Sequence, residues 1–254
     1  MQSTRSVAIS SGSRLEEAII LCGGLGTRLG EIALDRPKAL LEIRGRPFLE
    51  WLILSLARYN AIGHVILATG HLGEMIEQRF GNGSWCGVRI SYSHEAQQLG
   101  TGGALRRALP LIGSEHAFVL NGDTYCRYDS RRLLEMHLRN LASATLWLTR
   151  VRDATRFGTV TLDNDGRVSE FREKTVGPGT QLVSAGAYVI GSEVIMQIEP
   201  DRPVSLEHEV LPGLVGRGLF GVVGDTAFVD IGTTKSLMSA GADLASELDQ
   251  LGCD

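Results

Sequence analysis

Ala18-Ile19-Ile20-Leu21-Cys22-Gly23-Gly24-Leu25-Gly26-Thr27-Arg28-Leu29 is the stretch that sets the architecture. A short apolar run breaks into glycines and then into a charged residue. Such a run, bounded by turn signals, reads as a strand buried on both faces that feeds a loop. The alternation repeats downstream. Pro47 stands where a helix can begin, and Phe48, Trp51, Leu52, Leu56 and Tyr59 follow at helical spacing. Residues 64–69 read as a second buried strand, and Leu72, Met75, Ile76 and Phe80 form another helical stripe. Strands are expected over 88–92, 117–120 and 144–151, and helices over 103–109, stopped by Pro110, and 131–139. Strand and helix in alternation imply an α/β protein with a mixed, mainly parallel sheet covered on both faces. Ligands of such sheets bind beyond the carboxyl ends of the strands. The glycine loop after Leu21 and the acidic turn Asn121-Gly122-Asp123 after Leu120 both fall there.

Beyond residue 150 the pattern changes. Residues 158–162 and 167–171 flank Asp163-Asn164-Asp165-Gly166, a strong turn signal, so a β-hairpin joins the sheet. Residues 187–190 form another strand, and Ser192 and Ser205 are N-cap candidates for two helices. Phe228-Val229 leads into Asp230-Ile231-Gly232-Thr233, and one final amphipathic helix carries Leu237, Leu244, Leu248 and Leu251. No linker-like stretch or internal repeat interrupts the chain. Residues 15–254 read as a single domain and 1–14, Ser-rich and without the apolar middle of a secretory signal, as a loose N-terminal extension.

Composition narrows the function. The 254 residues are 43% hydrophobic and 21% charged, which is globular rather than disordered. Glycine is the outlier at 31 residues, about 12% against a typical value near 7%, with no collagen period; many special loop positions account for it. The formal net charge is -4, no Lys/Arg block stands out, and the few aromatics form no stacking platform, so nucleic acid is not an expected partner. No apolar run approaches the roughly 20 residues of a membrane helix. Cys22, Cys86, Cys126 and Cys253 are scattered without a CxxC pair, so neither a disulfide framework nor a zinc site is expected and a reducing cytoplasm is the default. His64, His71, His94, His116, His137 and His208 show no ligand spacing, which leaves them core or surface roles.

Glycines after a strand let the backbone approach a phosphate and aim several N–H groups at it. A dinucleotide fingerprint would need a third glycine where Leu29 stands, and a Walker A loop would need a Gly-Lys pair that this chain lacks. What remains is a glycine loop with Arg28 inside it, able to bind phosphate oxygens bidentately. On the loop alone, a phosphate grip and a plain strand-to-helix turn with a solvated arginine are both open. Pro37-Lys38, ten residues on, offers a compact cation on a stiffened backbone, or a surface lysine.

Gly24-x-Gly26-Thr27-Arg28-Leu29 followed by Pro37-Lys38 resembles the signature of sugar-1-phosphate nucleotidylyltransferases. Four later segments resemble that family in order: Leu99-Gly100-Thr101-Gly102-Gly103-Ala104 its base- and ribose-binding loop, Asn121-Gly122-Asp123 its metal turn, Phe171-Arg172-Glu173-Lys174 its Glu-Lys-Pro segment, and Asp230-Ile231-Gly232-Thr233 its second metal motif. The likeness runs from about Glu17 to Ala245. Thr175 and Thr234 stand where the family has proline, and Ser184-Ala185-Gly186 where Asn-Ala-Gly is common. The segments Gly45 to Trp51, Phe80 to Ser84 and Ser205-Leu206-Glu207 to Leu211-Pro212 further resemble the short subgroup that makes GDP-activated manno-heptose.

The resemblance implies a Rossmann-like three-layer sandwich, the nucleotide-diphospho-sugar transferase fold. It implies transfer of a nucleoside monophosphate from a triphosphate to a sugar 1-phosphate with release of pyrophosphate, GTP and D-glycero-D-manno-heptose 1-phosphate being the expected pair. Mannose, glucose or other heptose 1-phosphates with CTP, ATP, UTP or dTTP are the alternatives. Carried onto this chain, Arg28, Lys38, Asp123 and Lys174 are catalytic. Leu21, Gly23, Gly24, Gly26, Thr27, Arg28, Lys38, Gly100 and Thr101 meet the nucleotide, and Gly158, Glu173, Lys174 and Ser184 the sugar. Asp123 and Asp230 hold Mg²⁺, which prefers carboxylates, water and phosphates. Taken singly, Asp123 reads as a turn residue and Asp230 as a charge at a helix N-terminus. A non-catalytic sensor would keep the fold and lose charged positions, whereas Arg28, Lys38, Asp123, Lys174 and Asp230 all persist here; a glycosyltransferase would show Asp-x-Asp, and Asn121 breaks that pattern. The chain ends soon after the last helix, so the C-terminal extensions of bifunctional relatives are not expected, and homo-oligomerisation is left open.

Overall fold

The computed structural model describes residues 17–172 and 179–252; the expected extension at 1–14 and the sugar-site expectations Glu173 and Lys174 lie outside the described residues. In chain order the elements are β1 (Glu17–Leu21), β2 (Glu42–Ile43), β3 (Arg46–Pro47), α1 (Phe48–Asn60), β4 (His64–Thr69), α2 (Gly73–Phe80), β5 (Arg89–His94), α3 (Gly100–Ala108), β6 (His116–Asn121), β7 (Thr124–Cys126) and α4 (Ser130–Arg139). There follow β8 (Ala144–Val151), β9 (Thr159–Leu162), β10 (Val168–Arg172), β11 (Gln181–Gly191), α5 (Ser192–Gln197), α6 (Leu211–Gly213), β12 (Leu219–Val223), β13 (Phe228–Asp230), α7 (Thr234–Asp243) and α8 (Ala245–Leu251).

Strand periodicity explains the layers. Successive side chains of a strand point to opposite faces. Ala18 and Ile20 of β1, Val65 and Leu67 of β4, and Phe118 and Leu120 of β6 pack into one core with α1, α2, α4 and α8. Their neighbours Ile19, Ile66, Ala117 and Val119 pack into a second core with α3 and α5. Two helical layers therefore clasp one nine-stranded sheet. The strands β5, β4, β1 and β6 are mutually parallel. Antiparallel β11 follows, and β8 and β9 pair antiparallel with it, which returns them to the common direction; β12 is parallel to β8, and β10 antiparallel to β9. Only β10 and β11 oppose the rest, so the sheet is mixed and mainly parallel, as the alternation predicts. The 163–166 turn makes the expected hairpin, with the Asp163 carboxylate accepting from the backbone N–H groups of Asp165 and Arg167.

Several details differ from expectation. Ser192 is not an N-cap: Gly191 holds that position, and the Ser192 N–H donates to the Glu115 carbonyl at 2.9 Å, so the helix end is satisfied without a side-chain cap. Ser205 does cap, accepting from His208 N–H, but it opens a π turn over Leu206–Val210 rather than a regular helix. Helix α3 starts at Gly100, earlier than the glycines suggest, and the single C-terminal helix is two, broken at Leu244 (φ -105, ψ 8). The strand expected over 187–190 runs through β11, whose register shifts between Ser184 and Tyr188. β12 and the two-stranded ribbons β2–β3 and β7–β13 were not foreseen.

Candidate active site

Leu21 ends β1, and the chain leaves the sheet with Cys22 N–H bonded to the Ala68 carbonyl at 2.9 Å. Gly23 lies where a Cβ would stand 2.7 Å from Glu95 Oε1 and 3.1 Å from Gly70 N. Gly26 turns the chain with φ +64, a left-handed conformation that glycine adopts at no steric cost, and a 3₁₀ segment over Thr27–Ala33, interrupted at Gly30 (φ 57, ψ -132), follows. Arg28 projects from its first turn, exposed. Pro37 is extended (φ -57, ψ 139) and delivers Lys38 at the head of a second 3₁₀ turn.

The acidic turn is pressed against the same strand end. Gly122 N–H donates to the Leu21 carbonyl at 2.9 Å, and a Cβ on Gly122 would stand 2.7 Å from that oxygen. Only glycine permits this approach, which sets Asp123 at the mouth of β1. Lys38 Nζ donates to Asp123 Oδ2 at 2.5 Å. Asp230 arrives from the other end of the chain through the ribbon β7–β13, where it pairs with Thr124, and Ile231 N–H bonds to the Asp123 carbonyl at 3.0 Å. Its Oδ1 accepts from the Arg156 guanidinium and from Gly232 N–H. Burial pushes the Asp230 carboxyl above its ordinary value; the Asp123 charge adds to this, and Lys38 and Arg156 oppose it. The two carboxylates thus sense one another, and each is capped by a cation from a different loop.

Beside them the cavity continues toward β11. Gly158 borders it, with Phe171 Cε1 3.1 Å from where its Cβ would be. Ser184 Oγ donates to Tyr188 Oη at 3.2 Å, Tyr188 Oη donates to Glu207 Oε1 at 2.6 Å, and Asn121 Nδ2 donates to the same oxygen at 3.2 Å. Burial, then the Glu207 charge, raise the Tyr188 phenol well above its usual range.

Of the expected nucleotide residues, Leu21, Gly24, Arg28, Lys38 and Thr101 line this cavity. Asp123 and Asp230 line it too, as do Gly158 and Ser184 from the sugar set. Gly23, Gly26, Thr27 and Gly100 do not border it. Gly23 and Gly26 shape the loop from behind, and Thr27 is exposed at the start of the 3₁₀ helix. Gly100 (φ +67) serves packing: a Cβ there would stand 2.5 Å from the Val204 carbonyl, which accepts from Gly102 N–H at 2.8 Å. The Thr101 hydroxyl accepts from Leu206 N–H at 2.8 Å, so the segment 99–104 also clamps the turn that carries Glu207.

Arg156, Glu207, Asn121 and His208 line the cavity and were not singled out from sequence. Arg156 adjoins the Phe157-Gly158 pair, a faint signal; Glu207 sits inside a quoted segment, but nothing in its local pattern marks it as a cavity residue. Among the described residues no cluster of three ligating side chains exists, so an ion bound here would draw on the Asp123–Asp230 pair and on its ligands.

The family model described as nucleotidyl transferase matches residues 17–247. The chain is 39% identical over 231 residues to mannose-1-phosphate guanylyltransferase of Mycobacterium tuberculosis, an alignment covering 90% of this chain and 64% of that protein, so it spans just under two thirds of that relative's length. It is 36% identical over 230 residues to D-glycero-alpha-D-manno-heptose 1-phosphate guanylyltransferase of Aneurinibacillus thermoaerophilus, covering 90% of this chain and 98% of that one. Among solved structures, HddC from Yersinia pseudotuberculosis complexed with GMP-PN aligns with a TM-score of 0.79 at 28% identity, covering 90% of this chain and 99% of that chain. The match takes in every element from β1 to the start of α8, with both carboxylates, both capping cations and the glycine loop inside it: the chain belongs to the nucleotidyl transferase family.

Proposed function

We propose that this protein transfers GMP from GTP to a manno-configured sugar 1-phosphate, D-glycero-D-manno-heptose 1-phosphate before mannose 1-phosphate, and releases pyrophosphate. The observation that carries the reading is the convergence of Arg28, Lys38, Arg156, Asp123 and Asp230 on one cavity at the carboxyl ends of β1 and β6. A sugar phosphate oxygen attacks the α-phosphorus of the triphosphate, and that oxygen is already an anion, so no general base is required. The demands are to bring two polyanions into line and to compensate their charge. Arg28 and Lys38, on the glycine loop side, neutralise the triphosphate. Gly24, with nothing within 4 Å of its would-be Cβ, leaves room for phosphate against the backbone. Lys174 and Glu173, by the resemblance, hold the sugar phosphate and a sugar hydroxyl.

Asp123 and Asp230 suit Mg²⁺. They are hard oxygen donors, one in the turn just before β7 and the other at the end of its partner strand β13, and burial and mutual repulsion leave Asp230 short of compensating charge. Mg²⁺ commonly takes one or two carboxylates and completes its shell with water and substrate phosphates. When bound, such an ion neutralises and orients phosphate oxygens. Guanine is favoured by the relatives' activity and by Glu95. Its carboxylate, fixed by Leu99 N–H at 3.1 Å behind the glycine loop, lines a second hollow with Gln97 and Gln98, where it offers an acceptor to a base edge rich in N–H donors. A cytoplasmic site of action belongs to the same reading; Cys22, Cys86 and Cys126 are free thiols, and no helix among the described residues is long and apolar enough to cross a membrane. The test is pyrophosphate release across GTP, CTP, ATP, UTP and dTTP paired with heptose, mannose and glucose 1-phosphates in Mg²⁺. GTP with a manno-configured acceptor should dominate, and no release with any pair would overturn the proposal.

A further inference from the structure

We propose that Glu207 is a specificity-determining residue of the acceptor subsite, reading hydroxyls of the sugar ring through a carboxylate oxygen that the fold has aimed in advance; this rests on the transferase reading above. Glu207 borders the cavity that also meets Gly158, Ser184 and the Asp123–Asp230 pair. Among the described residues, only one of its oxygens is hydrogen-bonded. Oε1 accepts from Tyr188 Oη at 2.6 Å and from Asn121 Nδ2 at 3.2 Å, whereas Oε2 has no hydrogen-bond partner among the described residues. A carboxylate held by one oxygen and open at the other presents a strong acceptor in a fixed direction, as a hydroxyl-bearing ligand requires.

The support behind it is extensive. Tyr188 is fully buried on β11, so its hydroxyl cannot swing away with solvent. Asn121 is the last residue of β6, two before Asp123, and it sits against Gly186, whose φ of +71 and missing Cβ allow the approach; a Cβ there would be 3.1 Å from Asn121 Cβ and Nδ2. From the other side, the turn that carries Glu207 is tied to α3 by Gly102 N–H on the Val204 carbonyl, Val204 N–H on the Leu99 carbonyl and Leu206 N–H on Thr101 Oγ1. Three elements thus converge to orient one carboxylate. A partner for the Tyr188 hydroxyl alone would need only a neutral acceptor, and a half-buried ionised group costs desolvation that glutamine would avoid. The charge makes sense if a ligand's hydroxyls complete its hydrogen bonding.

The test uses Glu207→Gln, which keeps shape and an acceptor for Tyr188 but puts an NH₂ where Oε2 was. The KM for mannose or heptose 1-phosphate should rise about tenfold or more, as loss of one charge-assisted hydrogen bond does, with the KM for GTP within about twofold. A structural role would instead lower the melting temperature and move both constants. Monodeoxy mannose 1-phosphates give a second readout. One analogue should be a poor substrate of the wild type and lose that penalty in Glu207→Gln, while the penalties at other positions persist. Tyr188→Phe, which frees the carboxylate without removing it, should relax the same discrimination in part, and it serves if Glu207→Gln does not fold. Unchanged acceptor KM, a shift confined to GTP, or undiminished penalties for every deoxy analogue would overturn the assignment. If the wild type releases no pyrophosphate with any acceptor, the transferase reading fails instead, and calorimetric binding of mannose 1-phosphate to both proteins still decides the role of Glu207.

Discussion

Two alanine substitutions in the lining of the same cavity should have opposite consequences. At Gly122 an added Cβ would lie 2.7 Å from the Leu21 carbonyl oxygen and 2.9 Å from Cys22 Cβ. Ordinary contact begins near 3.4 Å, so the turn and the end of β1 must part by about 0.7 Å, and neither is a flexible side-chain tip. Overpacking of this kind costs about 1–3 kcal/mol, which for a domain of this length lowers Tm by about 2–4 °C per kcal/mol. The displaced residue next in sequence is Asp123, and a misplacement approaching 1 Å costs turnover on the order of 100-fold. At Gly24, in contrast, nothing lies within 4 Å of the new methyl and φ is not left-handed. Alanine there should leave Tm unchanged or raise it, since a compatible Gly→Ala gains about 0.4–1 kcal/mol from the unfolded chain. It would fill the cavity wall beside Arg28, so the KM for GTP should climb roughly tenfold with the acceptor KM little changed. Thermal unfolding of the ligand-free variants and pyrophosphate-release kinetics read both effects. A Gly24→Ala protein with wild-type affinity for GTP would remove the loop from the nucleotide site. A Gly122→Ala protein with wild-type Tm and turnover would refute the close approach from which Asp123's placement follows.

Asp123→Asn should cut kcat about 10²–10³-fold, equivalent to about 2.7–4 kcal/mol of barrier, with the fold intact by circular dichroism; near-normal turnover at saturating Mg²⁺ would remove the residue from the site. Asp230→Asn should separate stability from activity. The folded carboxyl binds its proton more tightly than the unfolded one, so its contribution to stability is present below the ordinary value of 3.8 and is lost as pH rises through the folded pKa. The variant should therefore melt higher than wild type at pH 7, lose that advantage on acidification toward pH 4, and lose activity throughout; a lower melting point at pH 7 would contradict the account. His137 shows the reverse sign. Burial, with the neighbouring His116, lowers its pKa from 6.5 to about 4, so stability is full above 6.5 and falls as pH drops toward 4, by on the order of 3 kcal/mol at the lower end. Urea unfolding at pH 7, 5.5 and 4 measures the loss, and a His137 ring resonance titrating near 6.5 would exclude it.

What the sequence made legible was whatever a few neighbouring residues decide among themselves. The apolar runs at 18–22 and 64–69 can be little but buried strands, and glycines at their ends announce loops at the ligand-binding edge. The carboxylates Asp123 and Asp230, 107 positions apart, were joined only through motif order; the physical tie is a three-residue ribbon too short and irregular to show in local hydropathy. The break at Leu244 was hidden because leucines at 237, 244, 248 and 251 keep an apolar face whether or not the helix is continuous. Arg156 and Glu207 were missed for a deeper reason. A charged residue in a loop carries the same local signal whether it faces water or a cavity, and the outcome rests on which distant backbone comes within contact. Here the segment Leu99-Gly100-Thr101-Gly102-Gly103 is instructive. Its glycines suggest a ligand, yet the atoms they admit are the carbonyls of Val204 and Arg202, and the effect of that admission is to hold Glu207 over the cavity. A glycine motif therefore reports that something must come close without saying whether it is substrate or chain. Where the visitor is chain, the functional residue lies in the visiting segment rather than in the motif.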